Sequence, residues 1–168
     1  MKSLLKAYEF NLHYARDLVS DLSEEQMYLS PCKGLENHPA FTLGHLVVAS
    51  AMIVEDLGKP YTVPSGWDEF FGRKGPGDLR LPLPYKDGMP SKEELISELE
   101  NKHKAAERLI ARATPEILYQ PIEWRFDGYF SNIEDYLYFM CITHEALHLG
   151  QLAAWRRSEG LPSSLARL

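Results

Sequence analysis

The sequence predicts an all-α fold, a four-helix bundle carried by a single domain over residues 1–168. Two observations carry that prediction. Four long stretches repeat apolar residues at spacings of three and four, the mark of a helix with one buried side. Serine-led caps and Gly/Pro stops fall where those stretches begin and end, and one long connection, from Gly58 to Pro90, parts the second from the third.

The first stretch covers residues 3–22, where Leu4, Tyr8, Leu12, Ala15, Val19 and Leu22 form the apolar stripe. Ser23-Glu-Glu-Gln-Met then predicts a capped single turn, and Ser30-Pro-Cys-Lys-Gly a loop. Pro39 suits a first helical turn, and Phe41, Leu43, Leu46, Val47, Ala51, Ile53 and Val54 continue a largely buried second helix to about Leu57. Gly58 and Pro60 stop it. The stretch from Gly58 to Pro90 carries Trp67, Phe70 and Phe71, which predict a packed excursion over one end of the bundle rather than a free linker.

Ser91-Lys-Glu-Glu94 has the form of a capping box and opens a third helix to near Ala113, with Leu95, Leu99, Ala106, Leu109 and Ile110 on its stripe. Thr114-Pro-Glu-Ile-Leu adds a turn, and 120–126 is expected as a short extended segment before Asp127-Gly128. Ser131-Asn-Ile-Glu134 has the form of a second box, opening a fourth helix that runs to about Ser158, before Gly160 and Pro162. A helix of that length spans roughly 40 Å, the height of a bundle.

Apolar residues at 45% and charged residues at 25% are those of a globular domain with a core of its own. A net charge of -6 with no Lys/Arg cluster larger than two excludes a nucleic-acid footprint, which needs concentrated positive charge. No uninterrupted apolar run reaches the length of a membrane span, and the first residues lack the apolar core of an export signal, so the expectation is a cytoplasmic protein with no membrane partner. Two cysteines make no disulfide framework.

Polar residues interrupt the apolar runs at His45 and at His144-Glu-Ala-Leu-His148. Imidazoles four apart on a helix share one face, a turn apart, and can offer two nitrogens to one metal ion. With six histidines in the chain, chance gives some such pair about one time in six, so the pair alone says little. His45 on a second helix changes its weight, because three imidazoles from two facing helices, with one position left open, are the ligand set of a catalytic zinc site. Core histidines bonded to backbone satisfy the same pattern. Three imidazoles accept zinc, nickel, iron, cobalt or copper, zinc and nickel first among the expectations.

The candidates for catalysis are Gln151, Glu145 and Asn11. Gln151 lies three residues after His148 on the same stripe and could orient a ligand or substrate, or serve helix packing equally well. Glu145 points about 100° from His144, which favours a link to another helix over a general base. Asn11 and Tyr8 sit either at the site's mouth or at the core's edge. Cys141, three residues before His144, is a soft ligand or, more simply, a small buried hydrophobe. His38 is expected at the second helix's entrance, His13 and His103 in solvent, and Tyr136, Tyr138, Phe139 and Trp155 in an aromatic core.

Gly44-His45-Leu46 and His144-Glu-Ala-Leu-His148-Leu-Gly150-Gln151-Leu, with the helix order and spacing of the whole chain, resemble the DinB/YfiT-like family of metal-dependent enzymes. The resemblance implies an up-down-down-up bundle in which His45, His144 and His148 bind a divalent metal. It also implies a small-molecule substrate, with a metal-dependent transferase or hydrolase as the activity: a thiol S-transferase using metal-bound thiolate and a low-molecular-weight thiol cosubstrate, or a hydrolase using metal-activated water. A non-catalytic metal- or ligand-binding stress protein is the alternative. Leu149 stands where such chains often carry an arginine, and Leu147 where a further histidine is frequent. The numerous Trp and Phe residues admit a homodimer through an outer face.

Overall fold

The computed structural model describes residues 1–30, 32–75, 77–123, 126 and 128–167. Among these the protein is all-helical, with no strand and one isolated antiparallel bridge between Pro121 and Asn132. The helices are α1 (Lys2–Val19), α2 (Glu24–Met27), α3 (Pro39–Asp56), α4 (Trp67–Phe71), α5 (Lys92–Ile110), α6 (Pro115–Leu118), α7 (Ile133–Tyr138) and α8 (Glu145–Ser158). A π-helical segment, Phe139–His144, joins α7 to α8, and a 3-10 turn covers Ser164–Arg167.

The local signals act as the sequence predicts at most boundaries. Ser23 and Ser91 each accept a hydrogen bond from the N3 amide while Gln26 and Glu94 reach back to the cap amide, closing two capping boxes. His38 caps α3 ahead of Pro39: its Nδ1 accepts from Phe41 N–H (3.0 Å), and Nε2, left with the proton, bonds the Leu83 carbonyl (3.1 Å). The expected helix entrance is therefore also an anchor for the long connection.

Four expectations need correction. The box at Ser131–Glu134 is displaced by one residue, because Asn132, extended to bridge Pro121, is the cap, and its side chain accepts from Asp135 N–H. The fourth long helix is not continuously α-helical, since the π turn widens it between Tyr138 and Glu145. The connection after α3 contains a helix of its own, α4, with Trp67 and Phe71 buried. Tyr138 is half exposed rather than core, whereas Tyr136 and Trp155 are fully buried. Of the segment expected to be extended, Trp124 and Arg125 lie outside the described residues, as do Asp127 after it and Pro31 of the first loop.

Helix α1 packs on α5, the π segment and α8, and α3 packs on α4, α5 and α8. Two apolar clusters result. One joins Ala15 and Leu18 of α1, Leu43 and Val47 of α3, Leu95 and Leu99 of α5, and Leu152 and Trp155 of α8. The other joins Leu4 and Tyr8, Ile53, Ala106 and Ile110, and Tyr136, Leu137, Met140 and Cys141. Between them along the helices come buried polar residues: Asn11 on α1, His103 on α5 and Glu145 at the start of α8, with Ser50 on α3 beside them. Burying polar groups costs free energy unless they find partners, and here Tyr8 bonds Ser50, Asn11 donates to the Cys141 carbonyl and His103 meets Glu145.

Candidate metal centre

Helix α3 contributes His45 and the last helical stretch contributes His144 and His148. A ring nitrogen from each lies within 4.8 Å of the other two. The ring centroids are 5.2 Å apart for His45–His144 and 4.6 Å for both His45–His148 and His144–His148. This is near the spacing of ligands sharing one ion through bonds of about 2 Å. Among the described residues, no other group of His, Cys, Asp or Glu side chains converges in this way.

His45 is set by its surroundings. Its Nδ1–H donates to the Phe71 carbonyl (2.9 Å), which leaves the lone pair on Nε2, the tautomer a metal ligand needs. Gly44 makes that contact geometrically available: a Cβ on Gly44 would lie 2.3 Å from Phe71 Cγ, so the absent side chain is the notch that seats the Phe71 ring. The Gly-His pair and the aromatic residues of the long connection are thus one device. Nothing local in the sequence links residues 44–45 to residue 71.

His148 is pushed down to about 2 by burial first, then by His45, His144 and Arg73, with a hydrogen bond to Gln151 pulling the other way. A neutral imidazole at physiological pH is the protonation state that coordinates a cation. The donor set, the fixed tautomer and the neutral ring together fit a divalent ion with affinity for nitrogen.

The three histidines line an open cavity of about 570 Å³, within the size range of small-molecule sites. Phe41, Met52, Phe139, Met140 and Leu147 supply apolar wall, and Glu36, Asn37, Arg73, Arg80 and Gln151 supply polar groups. Gln151 accepts from Asn37 Nδ2 (3.0 Å), so the α8 candidate and the loop before α3 meet at the rim.

The other two candidates lie elsewhere. Asn11 donates to the Cys141 carbonyl (3.0 Å), inside the π turn. Glu145 is buried and its Oε1 meets His103 Nε2 at 2.8 Å. Burial raises the Glu145 pKa against the opposing pull of His103 and Asn11. Neither residue lines the cavity.

His103 corrects the sequence reading outright: it is buried, not solvated, and stacks on Tyr8 with centroids 3.9 Å apart and planes 11° from parallel. Its polar neighbours in sequence concealed it, because the face it shares with Leu99 and Ala106 decides burial. Cys141 is fully buried and outside the histidine group, its thiol raised by burial and by Glu145. Leu149 is core, and Leu147 faces the cavity.

Arg73, which the sequence did not mark, lies with its guanidinium carbon 4.1 Å from the centre of the Phe41 ring. No curated protein matches the chain at a significant level. The profile of the DinB superfamily matches residues 7–152, a span holding all three histidines and most of the four long helical stretches, and the chain belongs to that superfamily.

Proposed function

We propose that the protein is a metal-dependent enzyme in which His45, His144 and His148 hold one divalent ion, zinc or nickel, and that it acts on a small molecule. The observation that carries the reading is the convergence of three imidazole nitrogens on an open cavity of about 570 Å³. An ion held by three neutral ligands keeps its positive charge and supplies Lewis acidity, enough to bring a thiol or a water toward deprotonation near neutral pH.

The chain's own residues do the rest. His45 is aimed by the Phe71 carbonyl, and Gln151, steadied by Asn37, presents an amide to whatever enters. Phe41, Phe139 and Met140 pack against the substrate's apolar part and displace water from it. Glu145 is turned toward His103 and Asn11 toward Cys141, so we assign both to positioning the last helical stretch rather than to proton transfer.

Thiol S-transfer with a low-molecular-weight thiol leads hydrolysis in this reading, and its support is the family resemblance. A non-catalytic binding role would use the same ligands without turnover. The four long helical stretches are inferred to run up-down-down-up, supported by the packing of α1 and of α3 on both α5 and α8. No described helix is long and apolar enough to cross a membrane. A cytoplasmic location is supported by two free cysteines, and a homodimer by exposed Phe10, Tyr119 and Tyr129.

The test is elemental analysis of protein purified without chelator, beside His45→Ala and His148→Ala. About one equivalent in the parent and little in either variant is the expected result. Metal content unchanged in both variants, or absent from the parent after incubation with zinc and nickel, would refute the site. Turnover of small electrophiles with and without added thiol then separates transferase from hydrolase, and no turnover leaves the binding role.

A further inference from the structure

We propose that Arg73 anchors an oxyanion carried by the substrate, a carboxylate or phosphate group, so that the cavity selects small acidic molecules. The inference rests on the cavity assigned above as the substrate site and adds the class of molecule it takes. Among the described residues four charged side chains line that cavity, and three are already engaged. Arg80 is clamped to Asp78 through Nε and Nη2 and also reaches the Gly72 carbonyl. Asp78 is occupied by Arg80 and by the Lys74 amide (2.9 Å). Glu36 accepts from the Gly34 amide at 2.8 Å.

Arg73 differs. No carboxylate among the described residues comes within ion-pairing distance of it, and its contact is the face of Phe41, at 4.1 Å. Contact with the ring face restrains the guanidinium and leaves N–H groups for a ligand, the fork that matches two oxygens of one acid group. A partly buried cation with no ion-pair partner among the described residues, drawn only to the more distant Asp78, is a cost to the empty protein that an anion at the cavity wall offsets. Phe41 in turn stacks on His45, centroids 5.6 Å apart and planes at 10°, so the anchor and the histidines are held by one ring.

The selectivity is local. The chain's net charge of -6 repels anions at long range, so recognition has to come from contact with this guanidinium rather than from steering.

The test uses the full chain, as purified and after chelation, labelled for NMR. Sodium propionate and inorganic phosphate are titrated separately at constant ionic strength, with chloride as control, following the Arg73 Nε–H signal and the amides of Phe41 and Gln151. A saturable shift with either anion is expected, and the tighter of the two tells carboxylate from phosphate. Arg73→Leu should weaken that binding roughly tenfold or more, and Arg73→Lys should keep part of it without the bidentate preference. Shifts no larger than those from chloride, or equal binding by Arg73→Leu with an unchanged circular dichroism spectrum, would overturn the proposal. Because the chelated protein is titrated as well, the result stands apart from whether the histidines take a metal, which elemental analysis decides.

Discussion

Among the residues of the site, His148 ties protonation to stability most directly. Its imidazole titrates near 2 in the folded protein and about 6.5 when unfolded, so below 6.5 the unfolded chain binds a proton that the native state refuses. Stability contributed by this group is therefore complete above pH 6.5 and falls as the pH drops, by up to about 1.4 kcal/mol per pH unit. Glu145 works in the opposite sense, because its raised value lets the native state keep a proton that the unfolded state releases. Comparing parent with His148→Gln in the metal-free state isolates the histidine. Urea denaturation at pH 7, 6 and 5 should show a steeper loss in the parent, and parallel curves would contradict the assignment. The three ligands were legible in the sequence because each breaks an apolar run. Arg73, Phe71 and His103 were not, because their roles arise from contacts far away in sequence: Arg73 meets Phe41 across 32 positions, Phe71 meets His45 across 26, and His103 meets Glu145 across 42.

At the scale of elements, α4 and the π turn carry what periodicity could not show. Helix boundaries at Ser23, Pro39 and Ser91 were readable because a cap is a local interaction between residues three apart. The widened turn at 139–144 carries no such code, and the apolar run through it looks like any buried helix. Helix α4 is five residues long and has no capping side chain, so only its tertiary seat, the notch at Gly44, makes it stable. Gly44→Ala should then do two things at once. Forcing the Phe71 ring out of the notch should cost about 1–3 kcal/mol, and withdrawing the Phe71 carbonyl from His45 should weaken metal binding by roughly 10-fold or more. Thermal melts with and without zinc, with competition against a chelating dye, measure both. A variant that lost stability while keeping the parent's metal affinity would show that the Phe71 carbonyl does not tune His45. Asn11→Leu probes the π turn in the same way, since it leaves the Cys141 carbonyl buried without its amide donor, a loss of about 1–3 kcal/mol in urea denaturation.

Taken whole, the molecule is two apolar clusters with a polar layer between them, and the layer touches every long helix. Tyr8 of α1 bonds Ser50 of α3 (2.9 Å) and stacks on His103 of α5, which meets Glu145 at the head of α8. Glu145 is bonded in sequence to His144, so the layer and the three-histidine site share a backbone step. An apolar layer would be cheaper to bury; a polar one demands that all four helices meet at a single height, because sliding any of them strands a buried charge or hydroxyl. That difference can be measured with a double-mutant cycle. His103→Leu alone leaves the Glu145 carboxyl buried without its partner and should cost about 3–5 kcal/mol, as should Glu145→Leu by the converse loss. The double variant should recover much of that, because two leucines fill the space without stranding a polar group. If the layer also fixes the height of α8, the double variant should regain stability yet bind zinc more weakly than the parent, His144 having lost the register that Glu145 imposes. Parent-like zinc affinity in a stable double variant would restrict the layer to stability, whereas additive losses in the cycle would mean that His103 and Glu145 are not coupled.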